Sequence, residues 1–328
     1  MSDFPEALSL DIATASEKIN AIRQHIGKIL VGQDEVVDQV LIALLSGGHV
    51  LIEGVPGLGK TLLVRALASC FDGSYKRIQF TPDLMPADIT GHTIYDMNEG
   101  KFHVRKGPVF TNLLLADEIN RSPAKTQAAL LEVMQEKQVT IEGERLPVAL
   151  PFMVLATQNP IEQEGTYPLP EAELDRFLLK IFIDYPSHQD EVRLTRQVTE
   201  SGVGDELQVE QKNAILTPDG ILQLQRLLST IDVDEQILDY TVRLVRATRS
   251  SPAIVKGAGP RACIGLVRAA RANAILRGEP FVLPDDVKAM AIPVMRHRII
   301  LSADMEIDGQ SADNVLAGIL DTVDAPRL

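Results

Sequence analysis

Apolar residues recur along this chain first with a helical and then with a strand-like spacing. Over residues 16–30, Ile19, Ile22, Ile26 and Ile29 share one helical face. After Val31-Gly32-Gln33, Val36, Val37, Val40, Leu41, Leu44 and Leu45 repeat that spacing, and Gly47-Gly48 reads as the C-cap of a second helix. His49–Glu53 predicts a short strand, and the stretch from Lys60 to Cys70 predicts a helix that is apolar nearly all round, as one buried against a sheet would be. Further strands are expected at Lys76–Phe80, Val109–Ala116, Phe152–Ala156 and Leu178–Ile183. The middle ones are continuous apolar runs, the mark of strands covered on both faces in a parallel sheet. Ser122 as N-cap and Pro123 at the first helical position open an intervening helix with a stripe of Leu130, Leu131 and Met134. This alternation predicts an α/β fold, a three-layer αβα core around a parallel sheet.

After Tyr185-Pro186 the strand signal almost vanishes. Ile237, Tyr240, Leu244 and Val245, then Cys263, Leu266, Val267 and Ala270, keep helical periodicity. The expected division is a core over residues 1–186 and a small all-helical domain over 187–328, each with its own hydrophobic core. Residues 200–215 are polar and aperiodic and read as the connection or a mobile excursion.

Composition narrows the class. Hydrophobic residues make up 45% of the 328, aromatics only 4%, which suits aliphatic α/β cores. The net charge of −13 argues against a dedicated nucleic-acid binder, which presents a basic stripe. Cys70 and Cys263 lie in helical, mostly apolar stretches without a C-x-x-C or Cys/His cluster, so buried free thiols are expected. The opening MSDFPEALSL lacks a basic region followed by an apolar stretch, and no run has the ~18 apolar residues of a membrane span. A cytoplasmic location is expected.

The chemistry begins at residues 54–61, Gly54-Val55-Pro56-Gly57-Leu58-Gly59-Lys60-Thr61, which match G-x-x-x-x-G-K-[ST] between an expected strand and helix. A phosphate chain needs backbone N–H groups turned inward, a curvature glycine allows cheaply, and the helix N-terminus adds positive charge. Lys60 is expected to reach the β and γ phosphates of ATP, and the Thr61 hydroxyl to ligate Mg²⁺; Leu62 continues the site into the helix. An apolar strand then ends in Asp117-Glu118. Asp117 is expected near Mg²⁺, through water, and Glu118 beside the attacking water as general base; without the loop, two acids where a strand meets solvent would mean little. Asn159, in Ala156-Thr157-Gln158-Asn159-Pro160, either orients that water or simply begins a turn. Arg176 either neutralises a transferring phosphoryl group or pairs with Asp175 or Glu173 at the surface. Arg261, in the first turn of a helix opened by Pro260, sits where the helix dipole disfavours a cation, so a phosphate or plain solvation must compensate.

In this order the motifs resemble those of an AAA+ ATPase, specifically the MoxR family. The resemblance is carried by Val31-Gly32-Gln33, GVPGLGKT at 54–61, QFTPDLMPADITG at 79–91, LLLADEINRSPAKTQAALLEVMQEKQVTI at 113–141 and ATQNPIEQEGTYPLPEAELDRF at 156–177, and it covers nearly the whole chain. It implies that Gly32 and Gln33 lie on the adenine side, that Asn159 is a sensor-1 residue and that Arg176 is an arginine finger acting on a neighbouring subunit's ATP. Arg261 would be a sensor-2 residue on the helical lid, reporting the nucleotide state of the site made by the loop, Asp117, Glu118 and Asn159. It further implies a ring, a hexamer by family habit, that remodels, assembles or metallates a protein client with a von Willebrand factor A-domain protein on a separate chain. Two segments resemble insertions of this clade: Thr93–Val104, a hairpin interrupting the second helix of the core, and Gln138–Pro147, turning at Glu142-Gly143. Such hairpins face the pore in related rings, or are surface hairpins without a role. Leu58 and Gly259 depart from the family's usual Ala or Gly and Ser, and neither change removes a needed donor. A DNA-processing motor is the alternative, weakened by the acidic charge and the absence of a helix-turn-helix or zinc motif. A sigma-54 activator would need a Gly-Ala-Phe-Thr-Gly-Ala loop that this sequence lacks, and a non-hydrolysing scaffold would not need Glu118.

Overall fold

A computed structural model of the chain describes residues 11–55, 57–160, 165–200 and 214–326. Helix α1 (Ile12–Ile29) starts where the Asp11 carboxylate accepts the Thr14 N–H at 2.6 Å, and it buries Ala15, Ile19, Ile22 and Ile26. Helix α2 (Asp34–Leu45) ends as its glycines require: Gly47 takes φ +59°, and the N–H groups of Gly47 and Gly48 reach back to the Leu44 and Ala43 carbonyls. Strand β1 (Val50–Glu53) feeds the loop before α3 (Lys60–Ser69), followed by β2 (Tyr75–Gln79) and the five-residue α4 (Pro86–Thr90). The hairpin β3 (Gly91–Asp96) and β4 (Lys101–Lys106) precedes β5 (Leu113–Asp117) and α5 (Ala124–Glu136). A second hairpin, β6 (Gln138–Ile141) and β7 (Glu144–Pro147), leads to β8 (Met153–Gln158), the short α6 (Glu171–Leu174) and β9 (Leu179–Phe182).

The core sheet is parallel throughout, in the order β2-β5-β8-β1-β9. Successive residues of its strands alternate between two buried clusters. Val50, Ile52, Leu113, Leu115, Leu155 and Ile181 face one way, and Leu51, Leu114, Ala116, Val154 and Ala156 the other. Helices on both faces complete the three layers.

The C-terminal part contains α7 (His188–Glu200), α8 (Pro218–Leu227), α9 (Glu235–Ser250), β10 (Ile254–Lys256), α10 (Pro260–Arg277), α11 (Pro284–Met295), β11 (Ile300–Leu301), α12 (Ala303–Ile307) and α13 (Ala312–Thr322). Among its described residues it is helical apart from the small antiparallel ribbon of β10 and β11, too short to leave a strand pattern in the sequence. Among the described residues no helix is long and apolar enough to cross a membrane. Cys70 and Cys263 are free thiols, the first buried and the second partly so. Most of the connection expected at 200–215 lies outside the described residues.

Several expectations are corrected. The two parts do not have separate cores: α10 packs on α1 and α2, α11 on β9, and one apolar cluster runs from α1 through a sheet face to Tyr240, Leu266 and Leu316. The dividing surface is the sheet. Ser122 does not cap α5; it closes the turn Ile119–Arg121, and the helix begins at Ala124 after Pro123. The strand expected from Val109 begins only at Leu113, because Asn112 is tied to Ser74 through its backbone and side chain. The first hairpin follows α4 and interrupts nothing, since no helix resumes before β5. The second turns at Glu142 (φ +48°) and Gly143 (φ +84°), the two positive φ values of a tight two-residue hairpin turn.

His49 ties three of these elements together. Its Nδ1 accepts the Val154 N–H at 3.0 Å and its Nε2–H donates to the Met134 carbonyl at 3.2 Å. Burial pushes its pKa down to about 4. The unfolded chain therefore takes up this proton near pH 6.5 while the folded chain resists until about pH 4. Stability should be intact above pH 6.5 and fall as the pH drops through this window, by about 3 kcal/mol from this residue. Denaturant midpoints measured against pH should show the slope, to which the buried His297 adds one of the same sign, and His49→Asn should make it shallower.

Candidate active site

The carboxyl ends of β1, β5 and β8 open onto a cavity of about 740 Å³. Parallel sheets leave such a crevice where strand order switches, and here the switch falls at β1, between β8 and β9. The glycine-rich loop forms its floor. Gly57 (φ +87°) and Gly59 (φ +81°) adopt left-handed backbone, and a Cβ at Gly54 would strike the Ile183 carbonyl at 2.6 Å. Gly57, Leu58, Gly59, Lys60, Thr61 and Leu62 line the cavity; Gly54 and Val55 do not line it, and Pro56 lies outside the described residues. The Lys60 ammonium donates to the Gly54 carbonyl at 2.6 Å, and burial lowers its pKa against the pull of Asp117, Glu118 and Glu53.

Leu30, Val31 and Gln33 form one side, and α7 faces them with Glu191, Leu194 and Val198. Gly32 is a contact point of the two walls: a Cβ there would meet Asp190 at 2.8 Å. The Gln33 amide donates to the Asp184 carbonyl at 2.8 Å.

Asp117 and Glu118 meet the loop from β5. Thr157, on neighbouring β8, accepts the Glu118 N–H at 2.9 Å and donates its hydroxyl to Asp117 Oδ1 at 2.6 Å, so one buried side chain orients both acids. Glu118 holds a left-handed backbone (φ +56°, ψ +50°), which a non-glycine residue adopts only when its surroundings impose it. Strand β2 contributes two residues that sequence reasoning missed. Arg77 pairs with Asp117 Oδ2 at 2.7 Å, and the Gln79 amide donates to Glu118 Oε2 at 2.7 Å. Their signal was the two-residue spacing on one strand face, but only the β2–β5 register shows what that face meets. Asn159, buried at the end of β8, also lines the cavity.

Arg176 and Arg261 lie elsewhere. They line a second cavity of about 300 Å³ with Lys137, Arg268, Arg298 and a single acid, Asp175. Gly47, Gly48 and His49, which precede β1, and Leu178, which precedes β9, also line it, so it lies at the opposite end of the sheet from the glycine-rich loop. The expectation that Arg261 joins the loop and acids of its own chain is thus corrected. The cause is the packing of α10 against α1 and α2, where the Ser46 hydroxyl donates to the Arg268 carbonyl at 3.2 Å and the Arg268 guanidinium to the Ser46 carbonyl; Arg298, beyond α11, is bonded to Asp175 at 2.7 Å and to the Phe177 carbonyl at 2.7 Å. Arg261 shares that Asp175 at 3.5 Å. Arg176 does make the local ion pair considered for it, with Glu173 at 2.5 Å, and a further bond to Gln135.

Comparisons with known proteins bear on this arrangement. The profile of the ATPase family associated with various cellular activities (AAA) matches residues 49–179, and that of the AAA lid domain matches 246–319. The chaperone MoxR1 of Mycobacterium tuberculosis is 45% identical, covering 98% of this chain and 85% of that protein. The chain belongs to the MoxR-type AAA+ ATPases. Protein MoxR of Methylorubrum extorquens is 33% identical, over 92% of this chain and 94% of its own. The crystal structure of a candidate ATPase from Cytophaga hutchinsonii superposes with a TM-score of 0.87 at 42% identity, covering 96% and 97% of the two chains. Family membership implies nucleotide binding and supports both the αβα core and the helical lid.

The double role of Thr157 gives a test. Thr157→Val keeps the shape but leaves the Asp117 oxygen and the Glu118 N–H without their shared partner. Thermal denaturation should show a loss of about 1–3 kcal/mol.

Proposed function

We propose that this chain hydrolyses ATP with Mg²⁺ as a ring-forming machine that remodels a protein client. Residues 1–186 act in this reading as the nucleotide-binding core and 187–328 as the lid. Its hydrolytic half rests on the convergence of Lys60, Thr61, Asp117, Glu118 and Asn159 on one cavity. The Thr61 hydroxyl and the Asp117 carboxylate are hard oxygen donors suited to Mg²⁺, and the bare loop glycines leave room for phosphates, with nothing within 4 Å of a Cβ built at Gly57. When bound there, Mg²⁺ supplies neutralisation of phosphate charge. Lys60 leaves the Gly54 carbonyl for the β and γ phosphates. Glu118 takes the proton of the attacking water as its oxygen bonds to the γ phosphorus, and the bond to the bridging oxygen breaks to release ADP. Asn159 orients that water. Gly32 and Gln33 hold the wall at which the adenine lies.

The single observation that carries the oligomeric half is the position of Arg176 and Arg261 at the far end of the sheet. Side chains fixed there do not reach their own loop, and a cleft with five cations and one acid suits the triphosphate of an adjoining copy. A closed ring, a hexamer in the family habit, repeats that contact. The name of the mycobacterial relative supports a chaperone-like role, and the resemblance adds a von Willebrand factor A-domain partner on a separate chain.

Lys60→Ala should abolish ATP binding in a filter or fluorescence assay, whereas Glu118→Gln should bind and not turn over. Arg176→Ala and Arg261→Ala should each bind ATP normally and hydrolyse about a hundredfold more slowly. Mixing either arginine variant with Glu118→Gln subunits should restore turnover, because the first keeps a sound cavity and the second supplies the cations. Co-assembled mixtures that stay inactive would exclude action between subunits. Copurification with the Glu118→Gln variant and ATP, from the native cell, identifies the client and tests for the von Willebrand partner.

A further inference from the structure

Asp117 is nearly buried, and both of its oxygens are engaged. Oδ1 takes the Thr157 hydroxyl at 2.6 Å. Oδ2, the oxygen left for a metal ion, accepts two bonds from Arg77, from Nη2 at 2.7 Å and Nε at 3.2 Å. The same Nη2 donates to Gln79 Oε1 at 3.0 Å. That bond fixes the Gln79 amide so that its nitrogen faces Glu118 Oε2. Glu118 Oε2 also receives Arg121 at 3.1 Å. The two acids are thus joined by one chain of donors and acceptors lying along the edge strand β2.

Arg77 is unlike the permanent partners around it. Thr157 is wholly buried, whereas the Arg77 side chain is 48% exposed and lines the cavity itself. A buried carboxylate without a counter-ion is costly; Lys60 attracts Asp117 from across the cavity but gives its short bond to the Gly54 carbonyl, so the cation in contact with the carboxylate is Arg77. Its long, half-solvated guanidinium gives up that contact at small cost, since exposed ion pairs are weak.

We infer that Arg77 is a stand-in cation: it neutralises Asp117 in the empty protein and must leave Oδ2 before a divalent ion, directly or through its bound water, is held there. It is a positioning residue whose competition sets the concentration of divalent ion at which the site fills. Its departure also removes the donor that orients Gln79, so occupation of Oδ2 is transmitted to Glu118 through two side chains. The inference rests on the nucleotide-site reading above.

Direct titration of Mn²⁺ by electron paramagnetic resonance, into full-length protein saturated with a non-hydrolysable ATP analogue, tests it without turnover. Arg77→Gln should half-saturate at about two- to fivefold lower Mn²⁺, the size of a half-exposed ion pair. Arg77→Lys, which keeps the charge, should stay within about twofold of the unaltered protein. A half-saturation that is unchanged or raised in Arg77→Gln, with an unaltered circular dichroism spectrum, overturns the inference, as does a Lys variant that shifts as far as the Gln variant. Failure of the unaltered protein to bind Mn²⁺ with the analogue would instead overturn the reading of the site itself.

Discussion

A parallel strand has two unlike ends, and in a sheet whose five strands all run one way every carboxyl end falls on the same edge. The molecule is organised by that constraint. β1 delivers the glycine-rich loop, β5 the acid pair and β8 Thr157 and Asn159 to a single rim, with no long-range folding of loops to gather them. The same directionality banishes whatever precedes the strands to the other rim. His49, Leu178 and the arginines collected beside them share an end of the sheet because β1 and β9 both start there.

Charge differs between the two rims: the carboxyl-end cavity balances Lys60, Arg65 and Arg77 against Asp117, Glu118 and Glu191, and the other does not balance. The rim at the carboxyl ends carries acids held by hydroxyl, amide and guanidinium donors, and the opposite rim carries a cationic cleft around Asp175. Asp175 is spent on the lid residues Arg298 and Arg261, which leaves Arg176 to Glu173 and Gln135. A net charge of −13 thus conceals a local excess of positive side chains, and total charge described this surface poorly.

What was legible in the sequence was local. Gly54 to Thr61 announces its backbone through its glycines, and Glu142-Gly143 announces its turn in the same way. Continuous apolar runs in β5 and β8 correctly indicated burial on both faces. Strand register and helix docking were not legible. Arg77 and Gln79 are ordinary polar residues on an edge strand until β2 is set against β5, with Gln79 beside Asp117. Arg261 read as a phosphate-seeking arginine, but which phosphate it could meet depended on where α10 packs, and no periodicity encodes that. Ser122 shows the smaller version of this limit: its type suits a cap, but Pro123 carries the chain one residue further before the helix starts.

The shared core bears on how the chain comes to be folded. Ile19, Ile22 and Ile26 of α1 enter a cluster that also contains Leu266, Val294 and Leu316, far along the chain. In folding, α1 can therefore bury part of its apolar face against its sequence neighbours α2 and α3, and the rest only when α10 arrives from far along the chain. Closing so long a loop costs chain entropy before the contact repays it, so the amino-terminal helices and the helices after the sheet should lose structure together and not one after the other.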